Sequence, residues 1–256
     1  MSSQKSQHAS LISGDSGPFR LQKVASFGTG EPWLARIEFG IPELSKIATP
    51  NPEIHKEFTD AWLTAGMKLS EAFGILIEIR KLTADPDATL IDLSRNYTSF
   101  YSLLWAAYKD RWQTAMKLLD FDMSFLFIAD APFETKWLEF EKAHPTLDLQ
   151  GLKQMAIDDR TGWQKRLQDY RNLEIEHRTG DQRVEDYENL MASEILFDNV
   201  WRAMEDWAIH AIGESVKPPM FIFMIPKNER NSANPQKYKL GFDTSSLPQP
   251  NSDLSE

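Results

Sequence analysis

Between residues 52 and 82 large apolar side chains recur at every third or fourth position or at a multiple of that spacing: Ile54, Phe58, Trp62, Leu69, Phe73, Leu76 and Ile77. A helix turns once in about 3.6 residues, so this spacing draws one apolar stripe along it. A stripe of that length has to be covered, and helices packed on helices cover it most simply. Asn51 offers an N-cap, Pro52 suits the first helical position and Glu53 falls in the first turn, which sets a helix from Pro52 to about Leu82. Three more stretches carry the same period. One runs from about Ala88 to Leu119 with Tyr97, Phe100, Leu104, Tyr108 and Trp112. Another starts near Asp148 and carries Leu152, Met155, Trp163, Leu167 and Tyr170. The last, about Val184 to Glu214, shows Leu190, Ile195, Leu196, Val200, Met204, Trp207 and Ala211. Between the second and third, the segment FDMSFLFIADAP breaks the period, and Pro132 opens a short helix, PFETKWLEFEKA, that ends before Pro145. The expected fold is mainly α, with four main helices and a short one.

The period changes towards both ends. In PFRLQKVASFGTGEPWLARIEF, residues 18–39, two partly alternating stretches flank Gly-Thr-Gly, which predicts a β-hairpin. Beyond Pro218-Pro219, MFIFMIPK and KYKLGF predict a second hairpin around a polar loop. The expected organisation is a disordered N-terminus over 1–17, a hairpin extension over 18–50, a helical domain over 51–216, a C-terminal hairpin over 217–243 and a disordered tail over 244–256.

Composition narrows the chemistry. The chain has no cysteine, which removes disulfides, thiolate zinc sites and cysteine nucleophiles and suits a reducing cytoplasm. MSSQKSQHASLISGDSG at the N-terminus lacks the apolar core of a signal peptide. The longest apolar run, Met220 to Ile225, is far too short to span a bilayer, so no membrane partner is expected. The net charge of −10 is concentrated in residues 52–216, which hold 18 Lys/Arg against 30 Asp/Glu. Such a body repels nucleic-acid backbone in general, so any site for it has to be a local cluster.

One cluster of that kind is YRNLEIEHR, residues 170–178. On a regular helix Arg171 and His177, six positions apart, point about 120° away from each other. They converge only if the helix loosens or ends between them, as Thr179-Gly180-Asp181 just beyond allows, or if a second chain brings its own copy across a two-fold axis. Together the three polar residues suit metal-free phosphodiester cleavage. A histidine exchanges protons with the ribose 2′-OH or the 5′-oxygen, a guanidinium holds the phosphate through paired hydrogen bonds, and an amide orients either group. Glu174 and Glu176 would favour the imidazolium form, which suits a general acid. Two copies would supply both the base and the acid.

Arg171-Asn172, four further residues and His177, near the end of a helix in an all-α domain and before the last long helix, resemble the motif of the HEPN superfamily. The resemblance covers about residues 52–216 and leaves both expected hairpins outside it. It implies a dimeric helical bundle whose composite cleft cuts RNA without metal or other cofactor, often as a toxin or defence effector with an inhibitory protein partner. The site residues it implies are Arg171 for phosphate, Asn172 for orientation and His177 for proton transfer.

Two other classes compete. Glu141-Lys142-Ala143-His144 and Glu174-Ile175-Glu176-His177 are both Glu-x-x-His, the ligand spacing of four-helix di-metal proteins, with Glu78 and Glu194 as candidate lone ligands. Both pairs fall at helix ends, whereas bundle-core metals sit mid-helix. The other class is a non-catalytic interaction module, suited to the acidic surface, the free strand edges and the polar tail. His55 and His210 read as surface or satisfied core residues, and His8 belongs to the N-terminal tail. Asp158-Asp159-Arg160 reads as a solvated helix face.

Overall fold

The computed structural model describes residues 31–49, 51–127, 132–176, 189–216, 220–225, 229 and 238–242. The chain is mainly helical. Helix α1 spans Glu31–Ala48, α2 Pro52–Ala84, α3 Leu90–Asp110, α4 Phe133–Ala143, α5 Gln150–Asp159, α6 Lys165–Glu176 and α7 Leu190–Ser215. The path of α3 continues through a π-helical turn, Arg111–Ala115, and a 3₁₀ turn, Met116–Leu119. A second π-helical turn, Arg160–Gln164, joins α5 to α6. Strands β1, Met220–Met224, and β2, Tyr238–Phe242, pair antiparallel with Ile222 opposite Leu240. Among the described residues no helix is long and apolar enough to cross a membrane.

Side-chain caps set several boundaries. Asn51 Oδ1 accepts from the Glu53 amide at 3.0 Å, Thr89 Oγ1 from the Asp92 amide at 3.2 Å and Asn189 Oδ1 from the Ala192 amide at 3.1 Å. Each satisfies an N–H that the helix itself leaves without a partner. Asp120 closes the 3₁₀ turn in the left-handed region at φ 66°, a conformation aspartate tolerates better than most residues.

The expected N-terminal hairpin is corrected in its second arm: residues 31–48 are helix α1. Over 31–39 the apolar spacing satisfies either period, but the run Trp33, Ile37, Ile41, Leu44, Ala48 carries steps of three and four past the expected strand. Pro32 stands in the first turn, where its missing N–H costs nothing. Ile41 and Leu44 are buried in the common core, and α1 packs on α2 and α7, so the helical bundle begins before residue 51. The first arm, 18–30, and the tails expected at 1–17 and 244–256 lie outside the described residues.

The core is dominated by rings. Trp62, Trp112, Trp137, Trp201 and Trp207 are all fully buried, and each large apolar side chain removed from water contributes roughly 1.5–3 kcal/mol. Most ring pairs meet edge-on or tilted, as with Tyr108 on Trp163 at 4.9 Å and Trp112 on Trp207 at 4.8 Å.

Candidate functional site

Helix α6 is anchored by Leu167 and Tyr170, both buried, and by Trp163 in the π-helical turn before it. Arg171 and Asn172 follow Tyr170 and are half-buried, at the edge between core and solvent. Arg171 Nη1 donates to Asn172 Oδ1 at 2.9 Å, so the amide holds one edge of the guanidinium. A guanidinium carries five N–H donors, and those beyond this bond suit two phosphate oxygens. The structure thus joins two of the three residues named from sequence. The third, His177, lies outside the described residues, as does the Thr179-Gly180-Asp181 stop signal. Helix α6 runs unbroken to Glu176. Convergence of Arg171 and His177 within one chain therefore requires the helix to turn away after that residue.

Below Arg171 the contacts reach two other helices. The Tyr170 ring lies 5.0 Å from that of Tyr101 on α3, and Tyr97 stacks on Tyr101 at 6.2 Å. The Tyr101 hydroxyl is 2.8 Å from Ser193 Oγ in the first turn of α7. Burial raises the Tyr101 phenol well above its ordinary value, against the opposing effect of the Ser193 hydrogen bond, so it stays protonated. One residue further along α7, Glu194 accepts from Arg80 Nε at 2.6 Å and ties α7 to the end of α2.

Four of the residues nominated for a metal, Glu78, Glu194, Glu141 and His144, have other partners. Glu78 pairs with Lys81 at 3.0 Å and Glu194 with Arg80. Glu141 accepts from Trp137 Nε1 at 2.7 Å. His144 caps α4 and stacks its ring on Phe121 at 5.4 Å. Among the described residues no group of three or more histidine and acidic side chains could hold a metal ion. His177 lies outside the described residues.

Asp158-Asp159-Arg160 is not a uniformly solvated face. Asp158 is exposed, but Asp159 is buried and accepts from Trp163 Nε1 at 3.0 Å and Trp207 Nε1 at 2.7 Å. Arg160 is half-buried with its guanidinium 5.4 Å from the centre of the Phe133 ring. Neighbours in a helix point about 100° apart, so one of two adjacent aspartates can face the core while the other faces water. The signal available in the sequence was Asp159 four residues before Trp163, a buried indole that needs an acceptor. Arg111, buried with its guanidinium 4.0 Å over the Trp62 ring, gave no signal at all. Of the histidines, His55 Nδ1 lies 3.0 Å from Ser45 Oγ and joins α2 to α1, whereas His210 is half-buried against Gly151.

No family model matches the chain, and no curated protein or solved structure matches it either.

Proposed function

We propose that this chain is a HEPN-like, metal-independent endoribonuclease that acts as a homodimer. The observation that carries the reading is the 2.9 Å bond between Arg171 and Asn172 on the last turns of α6, in a mainly helical chain and five residues before His177. In this mechanism Arg171 grips a bridging phosphodiester, and Asn172 holds the guanidinium in register. His177 of one copy takes the proton from the ribose 2′-OH, whose oxygen attacks phosphorus. The 5′-oxygen leaves with a proton from His177 of the other copy. The products are a 2′,3′-cyclic phosphate and a free 5′-hydroxyl, with no metal in the balance. The resemblance extends the reading to a toxin or defence effector restrained by an inhibitory protein partner. Purified chain in excess chelator is expected to cleave RNA, and His177→Ala and Arg171→Ala are expected to lose that activity. Equal activity in the variants, or activity abolished by chelator in the wild type, overturns the reading.

A second reading, a non-catalytic HEPN-like interaction module, is favoured by one observation. Met191 and Ile195 stand one turn apart on α7 and are 70% and 52% exposed. Large apolar side chains paired on one face suit a protein partner. Absence of RNA cleavage, with partner capture lost in Met191→Asp, selects this reading over the first.

A further inference from the structure

The hydroxyl of Ser193 has two neighbours. It lies 3.0 Å from the Asn189 carbonyl and 2.8 Å from the Tyr101 hydroxyl. A carbonyl only accepts, so the one hydrogen of Ser193 goes to Asn189, and the Tyr101 hydrogen must then point at Ser193. The result is a directed chain from the Tyr101 O–H to Ser193 Oγ to the Asn189 carbonyl. Asn189 is also the N-cap of α7, its side chain holding the Ala192 amide. Tyr101 therefore ends on the turn that starts α7. The ring of the same tyrosine packs on Tyr170, the residue before Arg171. Both Tyr101 and Ser193 are fully buried, where a hydrogen bond is not contested by water.

We propose that Tyr101 is a positioning residue: the bond from its hydroxyl to Ser193 ties its ring to the start of α7, the ring so held supports the end of α6, and that one bond sets the place of Arg171 and Asn172 relative to α7. Its catalytic consequence rests on the ribonuclease reading; its mechanical consequence does not. Side chains that approach substrate from α6 keep their aim only while the helix end is held, and a small displacement there weakens bonds that strengthen in the transition state.

The experiment uses the full chain and two substitutions, Tyr101→Phe and Ser193→Ala. The first removes one oxygen and keeps the ring; the second removes the acceptor on α7 and leaves Tyr101 whole. Hydrogen exchange is measured at the amides of Ala192 to Glu194 and of Tyr170 to Asn172. RNA cleavage in chelator is measured alongside. Both variants are expected to exchange faster at both helix ends, by roughly two- to tenfold, the range set by one neutral hydrogen bond. In both, kcat is expected to fall by a similar factor while KM changes by less than about twofold. Trp137→Phe, which removes the bond from Trp137 to Glu141 in α4, serves as the control for general loosening. It is expected to leave both helix ends and kcat unchanged. Faster exchange in α7 alone, or equal loosening of α6 in the control, overturns the proposal. If Tyr101→Phe fails to fold, Ser193→Ala decides by the same readout. A wild type that cuts no RNA overturns the ribonuclease reading, and exchange at the two ends still decides the role of Tyr101.

Discussion

Asp159 and Arg171 lie twelve residues apart on one helical path, and each is a charged side chain bound to a neighbour, yet their surroundings differ in kind. Asp159 sits in the core with both oxygens taken by indole N–H groups, one from Trp163 next to it and one from Trp207 on α7. Arg171 is half-buried, and the bond described for it goes to its immediate neighbour, Asn172. A carboxylate held by two buried donors is committed: moving it strands polar groups in an apolar core. A guanidinium at the rim, braced on one edge, keeps donors for another molecule. The first arrangement suits a fixed joint between helices, and the second suits recognition of an anion.

The comparison breaks most readily at Arg171 and His177. Arg171→Ala is expected to lower kcat for RNA cleavage by about 10²–10³, the usual loss when a donor to a developing oxyanion is removed. His177→Ala is expected to lose about 10²–10⁴ as a proton-transfer group is removed. Stability should scarcely move in Arg171→Ala, by about 0.5 kcal/mol or less, because the side chain lies at the rim. Arg171→Lys sharpens the point: it keeps the charge but cannot grip two phosphate oxygens in a planar fork, and most of the activity is expected to go with it. Chelator assays and thermal unfolding on the same preparations measure both quantities.

Asp159→Ala is expected to show the opposite pattern. Two buried indole N–H groups lose their acceptor, each at about 1–3 kcal/mol, so urea unfolding should show a loss of roughly 3 kcal/mol or more. Cleavage at a temperature where the variant stays folded should be near the wild-type rate. A loss below about 1 kcal/mol would mean that the joint is slack and that the contrast with Arg171 is one of exposure alone.

How much of this could be read from sequence follows from how far apart the partners lie. The long stripes on α2, α3 and α7 were legible because each repeats its period over several turns, and no competing period fits. Residues 31–39 were not, because nine positions satisfy both periods and the decision came from Ile41 and Leu44 beyond them packing into the core. Arg171 and Asn172 are adjacent, so their pairing could be read directly. The bond between Tyr101 and Ser193 joins residues 92 apart and left no trace in local pattern. Asp159 falls between these cases: Trp163 lies within the same helical path and could have been suspected, whereas Trp207, 48 residues away, could not.

His210 fits neither side of the contrast and gives the smallest expected effect. Its Nε2 is buried and has no hydrogen-bond partner among the described residues, and a Cβ added at Gly151 would lie 3.4 Å from its Cε1, so the ring closes against the start of α5. Burial lowers its pKa, and the nearby Asp148 and Asp206 only partly offset that. In the unfolded chain histidine titrates near about 6.5. Between that value and the lower folded one, the unfolded state binds more protons, so stability rises with pH. The contribution of neutral His210 is complete above the unfolded value and is lost as pH falls through it towards the folded one. Glu214 on the same helix works in the other direction: burial and Asp148 raise its pKa, so the folded state holds that proton longer and loses stability as pH rises through the folded value. The two slopes have opposite signs, so the unfolding midpoint of the wild type alone does not isolate either. The difference between wild type and His210→Gln does. It is expected to favour the wild type less at pH 5 than at pH 7, with Glu214→Gln showing no such trend in that direction. A difference independent of pH would place His210 with the fixed joints, as a ring that packs and does not titrate on folding.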